Sequence, residues 1–132
     1  MSTLWSSMGR DVGHGMRTAK VTVDQHDGGP VVSIRGEIDL SNSEALSADI
    51  LPSVPHDGQG MVLDLTHATY LDSSGIRFLF DLAQRLHANR QRLVLVVSDA
   101  ALVRRVVLLT KLEDAVPLVA TVDDALVALN NH

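Results

Sequence analysis

The chain has 132 residues, a net charge of -5 and no cysteine, and its residues are 45% apolar but only 3% aromatic. A single domain of this length buries enough apolar surface to fold without a disulfide or a structural metal. The lack of cysteine excludes thiol catalysis, thiolate metal sites and disulfides, and it is compatible with a reducing cytoplasm. The acidic balance and scarce aromatic residues give no sign of a nucleic-acid-binding surface.

The ends and the longest apolar runs of the chain indicate where the protein resides. No apolar run approaches the roughly 20 residues that a membrane-spanning helix needs, and the N-terminus lacks the apolar block of a secretory signal. We therefore expect a cytoplasmic protein without a membrane partner. Residues 1–18 are rich in Ser, Gly, Met and His and lack periodicity, so we expect a flexible tail there and one domain over residues 19–132.

The hydrophobic pattern predicts elements in the order β-β-α-β-α-β-α-β-α. Two alternating segments flank the turn signal at residues 27–30 and favour an antiparallel hairpin. The later strands alternate with helices, which indicates an α/β fold with a mostly parallel sheet and about four helices. We expect strands near 20–24, 31–35, 61–65, 93–97 and 116–119, and helices near 42–51, 74–89, 98–109 and 121–129.

Two of the predicted helices have capping signals before them. Ser41 and Glu44 have the spacing of a capping box ahead of the first helix. Thr121 and Asp124 have the same spacing ahead of the last one. Both pairs predict that a hydroxyl accepts a hydrogen bond from the first helical turn.

The turn Asp72-Ser73-Ser74-Gly75 joins an apolar strand to an amphipathic helix. It places two hydroxyls at a helix start, where unpaired N–H groups and the positive dipole end favour negative charge. An ordinary N-cap is one explanation of these residue types. However, one cap residue is enough, and Gly75 opposes helix propensity while leaving the backbone uncovered for a close-approaching molecule. The alternative is a phosphorylated serine or an anion site.

Catalytic and metal-binding alternatives find less support. A serine hydrolase needs a base beside Ser73; His67 is the nearest histidine in the sequence, but the nucleophile-elbow pattern is missing. The six histidines lack metal-site spacing, and no phosphate-loop motif occurs. We therefore predict no catalytic residue, no metal and no cofactor.

The helix after the turn carries a second feature of interest. Its main apolar stripe is predicted to consist of Ile76, Leu79, Phe80, Ala83 and Leu86. Phe78 and Leu82 lie off this stripe, so they either widen the core face or form a partner-binding patch beside the serines.

Three segments in the correct order resemble bacterial anti-sigma factor antagonists, which are single STAS domains. The first is the G-E-I-D-L segment at residues 36–40. The second combines residues 62–65 with the L-D-S-S-G-I segment at 71–76, and the third covers residues 112–126. The likeness extends over about residues 19–130. It implies the STAS fold and a switch protein rather than an enzyme.

The resemblance also implies partners. In the family, the unphosphorylated antagonist binds an anti-sigma factor that is also a serine kinase, which frees the sigma factor. The kinase then phosphorylates the serine that follows the Asp of the turn, and a PP2C-type phosphatase resets the cycle. Carried over to this chain, the phosphoacceptor is Ser73.

The resemblance and the residue-level interpretation together define an expected partner-binding surface. Arg77 is larger than the small residue of some members, so we expect it to influence partner choice. Lys111 departs from the glycine that many members place before the last strand. Two alternatives remain: a STAS scaffold in a larger signalling complex, and a small hydrolase that uses Ser73. The expected partner-binding residues are Gly36, Glu37, Asp39, Asp72, Ser74, Gly75, Arg77 and Phe78.

Overall fold

The computed structural model describes residues 10–12, 19–26, 28–98 and 102–130. Within these ranges the chain forms seven strands and four α-helices. The strands are β1 (Arg10–Val12), β2 (Ala19–His26), β3 (Gly29–Ile38), β4 (Gly60–Asp64), β5 (Ala68–Leu71), β6 (Arg92–Val96) and β7 (Leu118–Val119). The helices are α1 (Ser43–Ile50), α2 (Ser73–Ala88), α3 (Leu102–Leu109) and α4 (Val122–Asn130).

The strands form one sheet in the order β1-β2-β3-β4-β6-β7, and β5 pairs with β3 as well. The pairs β1–β2 and β2–β3 are antiparallel. All other pairings are parallel. The structure therefore confirms the predicted α/β class, the N-terminal hairpin and the mostly parallel sheet. Because β3 and β5 run parallel, they end together, and we call this side the carboxyl edge of the sheet.

The long strand β3 changes its partner halfway along. It pairs with β4 over residues 31–33 and with β5 over residues 36–38, and its register shifts between Gly36 and Glu37. Gly36 has a φ of 109°, a conformation that favours glycine, and its N–H donates to the His67 carbonyl at 3.1 Å. Such a bulge bends a strand and redirects the residues that follow. It brings the end of β3 beside β5 and the start of α2.

Two apolar clusters lie on opposite faces of the sheet. The larger packs helices α1, α2 and α3 against one face, and the smaller packs α4 against the other. Strand β6 contributes to both: Leu93 and Leu95 belong to the larger cluster, whereas Val94 and Val96 belong to the smaller. Alternate residues of a strand point to opposite faces, so a strand that is apolar throughout must be covered on both sides, as its sequence predicts.

Two strands are absent from the sequence-based prediction. Strand β1 has three residues and lies within the 1–18 segment expected to be a tail, where it pairs with β2. Strand β5 has four residues, and only Ala68 and Leu71 at its ends are buried. Neither is long enough to display a period of two. Both are defined by pairing with another strand: β1 with the nearby β2, and β5 with the distant β3.

The two capping predictions have different outcomes. The Asp124 N–H donates to Thr121 Oγ1 at 3.1 Å, which confirms the cap of α4. The capping box before α1 is wrong, because the N-cap position of α1 is Asn42 and its side chain makes no cap bond. The Ser41 hydroxyl instead donates to Asp39 Oδ1 at 2.6 Å. The Ser41 side chain is thus bonded within the loop after β3 and does not cap the first turn of α1.

Among the described residues, no helix has both the length and the apolar character that crossing a bilayer would demand.

Gly75 is needed for the packing of α2 rather than for access by another molecule. The residue is buried, and a Cβ added to it would lie 2.5 Å from Leu71 Cδ1 and 2.7 Å from the Ile38 carbonyl oxygen. The interpretation of Gly75 as a point of close approach by a partner is therefore wrong. The close approach is intramolecular: helix α2 begins directly against the ends of β3 and β5.

We predict that Gly75→Ala lowers the free energy of unfolding by roughly 1–3 kcal/mol, the usual cost of overpacking a fitted contact. Gly58→Ala is the matched control, because its added Cβ would meet only an ordinary contact, 3.4 Å from the Pro55 carbonyl oxygen. Urea unfolding of both variants measures the difference. Equal stability of the two would contradict the packing role of Gly75.

The loop before β7 keeps the geometry of a glycine although it contains lysine. Lys111 has φ 61° and ψ 26°, in the left-handed region. An L-residue is strained there by roughly 1–2 kcal/mol, whereas glycine is not, at an entropic cost of about 0.5–1 kcal/mol. The departure from the family pattern thus changes the strain and leaves the turn in place.

We predict that Lys111→Gly raises the free energy of unfolding by about 0.5–1 kcal/mol, because relief of strain outweighs the added chain entropy. Lys111→Ala retains a Cβ and is expected to stay within about 0.5 kcal/mol of wild type. Chemical denaturation separates the two. A glycine variant less stable than the alanine variant would rule out strain at this position.

Candidate functional site

Helix α2 begins at the carboxyl edge with Asp72 as its N-cap. Asp72 Oδ1 accepts from the Gly75 N–H at 2.9 Å, and the Asp72 carbonyl accepts from the Ile76 N–H at 3.0 Å. The aspartate satisfies the donors that a serine cap would otherwise satisfy. Ser73 and Ser74 are therefore the first two helical residues, and neither is required as the cap.

The two serines differ in how accessible they are. Ser73 is exposed, whereas Ser74 is partly buried. Both lie in the first turn of a 16-residue helix, where the helix dipole favours negative charge. Of the two hydroxyls, Ser73 is the one that an enzyme or a partner reaches more easily.

The loop after β3 is fixed by buried polar side chains. Asp39 and Asn42 are only 3% and 1% exposed. Asp39 Oδ1 accepts from the Ser41 N–H at 2.9 Å, and Asn42 Oδ1 accepts from the Asp39 N–H at 3.0 Å. The Asn42 amide also donates to the Glu37 carbonyl at 2.7 Å. Asp39 therefore shapes the loop from inside and is not part of its exposed surface.

Asp72 joins this loop to helix α2. Its Oδ2 accepts from the Leu40 N–H at 3.3 Å, and its own N–H donates to the Ile38 carbonyl at 3.3 Å. The segments 36–40 and 71–76, which both contribute residues to the expected partner-binding surface, thus meet at Asp72. Gly36 and Glu37 are partly buried within β3, before this junction.

Phe78 belongs to the core and not to an exposed patch. Its side chain is 2% exposed, and Leu82 is fully buried in the same cluster. Ile76, Phe80 and Ala83 are only partly buried against that cluster. The buried stripe is thus rotated from the predicted one, because α2 packs against α1 as well as against the sheet. Phe78 is therefore mainly a core residue, although it also lines the groove between α1 and α2.

A groove of about 410 Å³ lies between α1 and α2, beside Ser74. Its charged lining consists of Glu44 and Asp81 together with Arg77 and Arg85. Arg77 is exposed and follows Ser73 by one helical turn. Two acidic and two basic groups give a mixed surface, which suits a polar protein surface better than a single anion.

The other sequence candidates for chemistry lie apart from this arrangement. His67 is exposed in the turn between β4 and β5, and its backbone carbonyl serves the bulge at Gly36. Across the part of the chain that the structure describes, no three His, Asp or Glu side chains are placed so that they could hold a metal ion.

Leu40 is a surface residue that the sequence reasoning missed as a site candidate. It is 78% exposed, on the fixed loop beside the α2 start. Its place directly after the last buried residues of β3 is the signal that could have identified it, because an apolar side chain in a tight polar turn has no core to enter.

Comparisons by sequence agree on one family. The model of the STAS domain family matches residues 20–125. The anti-sigma-F factor antagonist RsfB of Mycobacterium tuberculosis is 33% identical over 106 residues, which is 80% of this chain and 85% of that protein.

Comparisons with solved structures find the same fold in members of this family. A crystal structure of an anti-sigma factor antagonist from Mycobacterium paratuberculosis has a TM-score of 0.75 at 34% identity, covering 86% of this chain and 95% of that one. The unphosphorylated form of SpoIIAA shares the fold, with a TM-score of 0.66 at 19% identity, covering 83% of this chain and 95% of that one. With its sheet order, its four helices and a family match over most of its length, the chain belongs to the STAS domain family.

Proposed function

We propose that this protein is an anti-sigma factor antagonist, a cytoplasmic regulator rather than an enzyme. In its unphosphorylated form it binds an anti-sigma factor and thereby releases a sigma factor for transcription. The observation that carries the proposal is the exposed Ser73 at the first position of α2, beside a loop held by Asp72. The names of relatives that this chain matches over most of their length support it.

Ser73 is the proposed phosphoacceptor, and the anti-sigma factor is the proposed serine kinase. A phosphate at this position adds about -1.5 to -2 charge, which the helix dipole offsets by roughly 0.3–1 kcal/mol. Asp72 retains the cap of α2 when Ser73 is modified, because the Gly75 N–H bonds to the aspartate. The domain itself is therefore expected to tolerate the modification.

The interface with the partner would not tolerate it. A doubly charged group in a fitted, dehydrated contact is costly unless cations meet it. A penalty of about 4 kcal/mol corresponds to a roughly thousandfold loss of affinity. The Asp72 carboxylate adds like charge beside the phosphate. Phosphorylation therefore releases the partner by repulsion and desolvation, and a PP2C-type phosphatase restores the binding form.

The first test concerns binding. We expect Ser73→Glu to weaken binding to the cognate anti-sigma factor about a hundredfold, since a penalty near 3 kcal/mol follows from one charge in the contact. Gln84→Glu is the matched control: it adds the same charge at an exposed position further along α2 and is expected to leave the affinity within threefold. Isothermal titration calorimetry with the purified anti-sigma factor measures both.

Two outcomes would count against the proposal, one in that titration and one in a release assay with the preformed complex of anti-sigma and sigma factor. Equal affinity of Ser73→Glu and wild type would show that repulsion at Ser73 is not the switch. Tight binding without release of any sigma factor would instead favour the role of a scaffold in a larger signalling complex.

The second test concerns the site of modification. Incubation with the anti-sigma factor and ATP is expected to label wild type and Ser74→Ala, but not Ser73→Ala. Intact-mass measurement and peptide mapping give the stoichiometry and the position. Phosphate on Ser74, or labelling of Ser73→Ala, would refute the assignment of Ser73.

A further inference from the structure

A strongly exposed apolar side chain, that of Leu40, lies beside the proposed switch. Among the described residues, four large apolar side chains are exposed: Leu40, Tyr70, Leu109 and Val127. Leu40 follows β3 and belongs to the segment 36–40 that Asp72 joins to helix α2, whereas Tyr70 lies in β5, just before that junction. The other two lie on α3 and α4. Leu40 is the more exposed of the first pair, at 78% against 40%.

Leu40 sits on a loop that does not need to be ordered on binding. Asp39 and Asn42 brace the loop from inside, and Asp72 Oδ2 holds the Leu40 N–H from the side of α2. A side chain already fixed at its backbone loses less conformational freedom when a partner covers it. Burial of its exposed apolar area then contributes to the binding free energy at a smaller ordering cost.

We propose that Leu40 is the apolar anchor with which the unphosphorylated protein holds its anti-sigma factor, and that Asp72 is the positioning residue that presents it. This inference rests on the proposed function and adds the contact that gives the affinity. The partner is expected to offer an apolar pocket for Leu40 at the rim of the surface that meets Ser73.

The anchor and the switch are linked through one residue. Ser73 directly follows Asp72, and the Asp72 carboxylate accepts from the Leu40 backbone. A phosphate on Ser73 would keep water in the patch that must dehydrate around Leu40. The contribution of Leu40 is therefore available only while Ser73 is unmodified, so a small chemical change removes a large part of the affinity.

Leu40→Ala tests the anchor, with Leu109→Ala as the matched control. Leu109 is 84% exposed at the end of α3, away from the carboxyl edge. Each variant is titrated against the anti-sigma factor kinases of the source genome, purified one at a time. We expect Leu40→Ala to lose roughly tenfold to a hundredfold in affinity and Leu109→Ala to stay within twofold. An affinity of Leu40→Ala within threefold of wild type would overturn the anchor.

The same titration distinguishes a failure of the Leu40 anchor from a failure of the proposed function. Wild-type binding that Leu40→Ala leaves unchanged removes the anchor and leaves the proposed function standing. Wild type that binds none of the purified kinases removes both. Sedimentation velocity tests whether Leu40 instead contacts a second copy of this chain. A wild-type dimer that Leu40→Ala converts to monomer would assign Leu40 to that contact and would overturn the proposal.

Asp72→Asn tests the positioning role. Its carbonyl oxygen still accepts from the Gly75 N–H, and asparagine caps helices as well as aspartate does. Its amide nitrogen cannot accept from the Leu40 N–H. We expect binding several-fold weaker than wild type, and no further loss when Asp72→Asn is added to Leu40→Ala. Additive losses in this double-mutant cycle would show that Asp72 does not act through Leu40.

Discussion

The arrangement at the carboxyl edge depends on the two oxygens of the Asp72 carboxylate. One caps helix α2, and the other holds the loop that follows β3. The close approach at Gly75 makes this geometry possible, because the first turn of α2 rests on the Ile38 carbonyl. Because Asp72 caps the helix, Ser73 is not needed as the cap. The proposed modification of Ser73 is therefore expected to leave the cap of α2 in place.

This geometry divides the residues that carry the family resemblance into two groups. Gly36, Asp39 and Gly75 support the site from the interior. Gly36 lies at the bulge in β3, Asp39 forms hydrogen bonds within the loop after β3, and Gly75 lets helix α2 pack closely against the end of β3. Ser73 and Leu40 are exposed on the outside of the same construction. A shared sequence motif therefore does not mark a uniform contact surface. Part of it is the support that gives the exposed part a fixed position.

The sequence predicted the elements whose signals are local. The amphipathic period of α2, the continuous apolar run of β6 and the hairpin before residue 36 each lie within one segment. What it missed depends on how the chain folds back on itself, either between distant segments or within one loop. Strand β5 exists because β3 shifts register at Gly36, and Ser41 bonds to Asp39 because the loop is folded back on itself. Phe78 was ambiguous for the same reason, since its burial depends on where α1 lies.

The loop after β3 holds Leu40 by its backbone and by its neighbours, not by its side chain. Among residues that retain a backbone N–H, the fold thus sets little requirement on the side chain at this exposed position. A bacterium that contains several proteins of this kind must keep their pathways insulated from one another. If Leu40 is the anchor that we propose, exchange of this one residue would alter which regulator is recognised and leave Ser73 unchanged, so that signalling circuits could diverge after gene duplication without loss of stability.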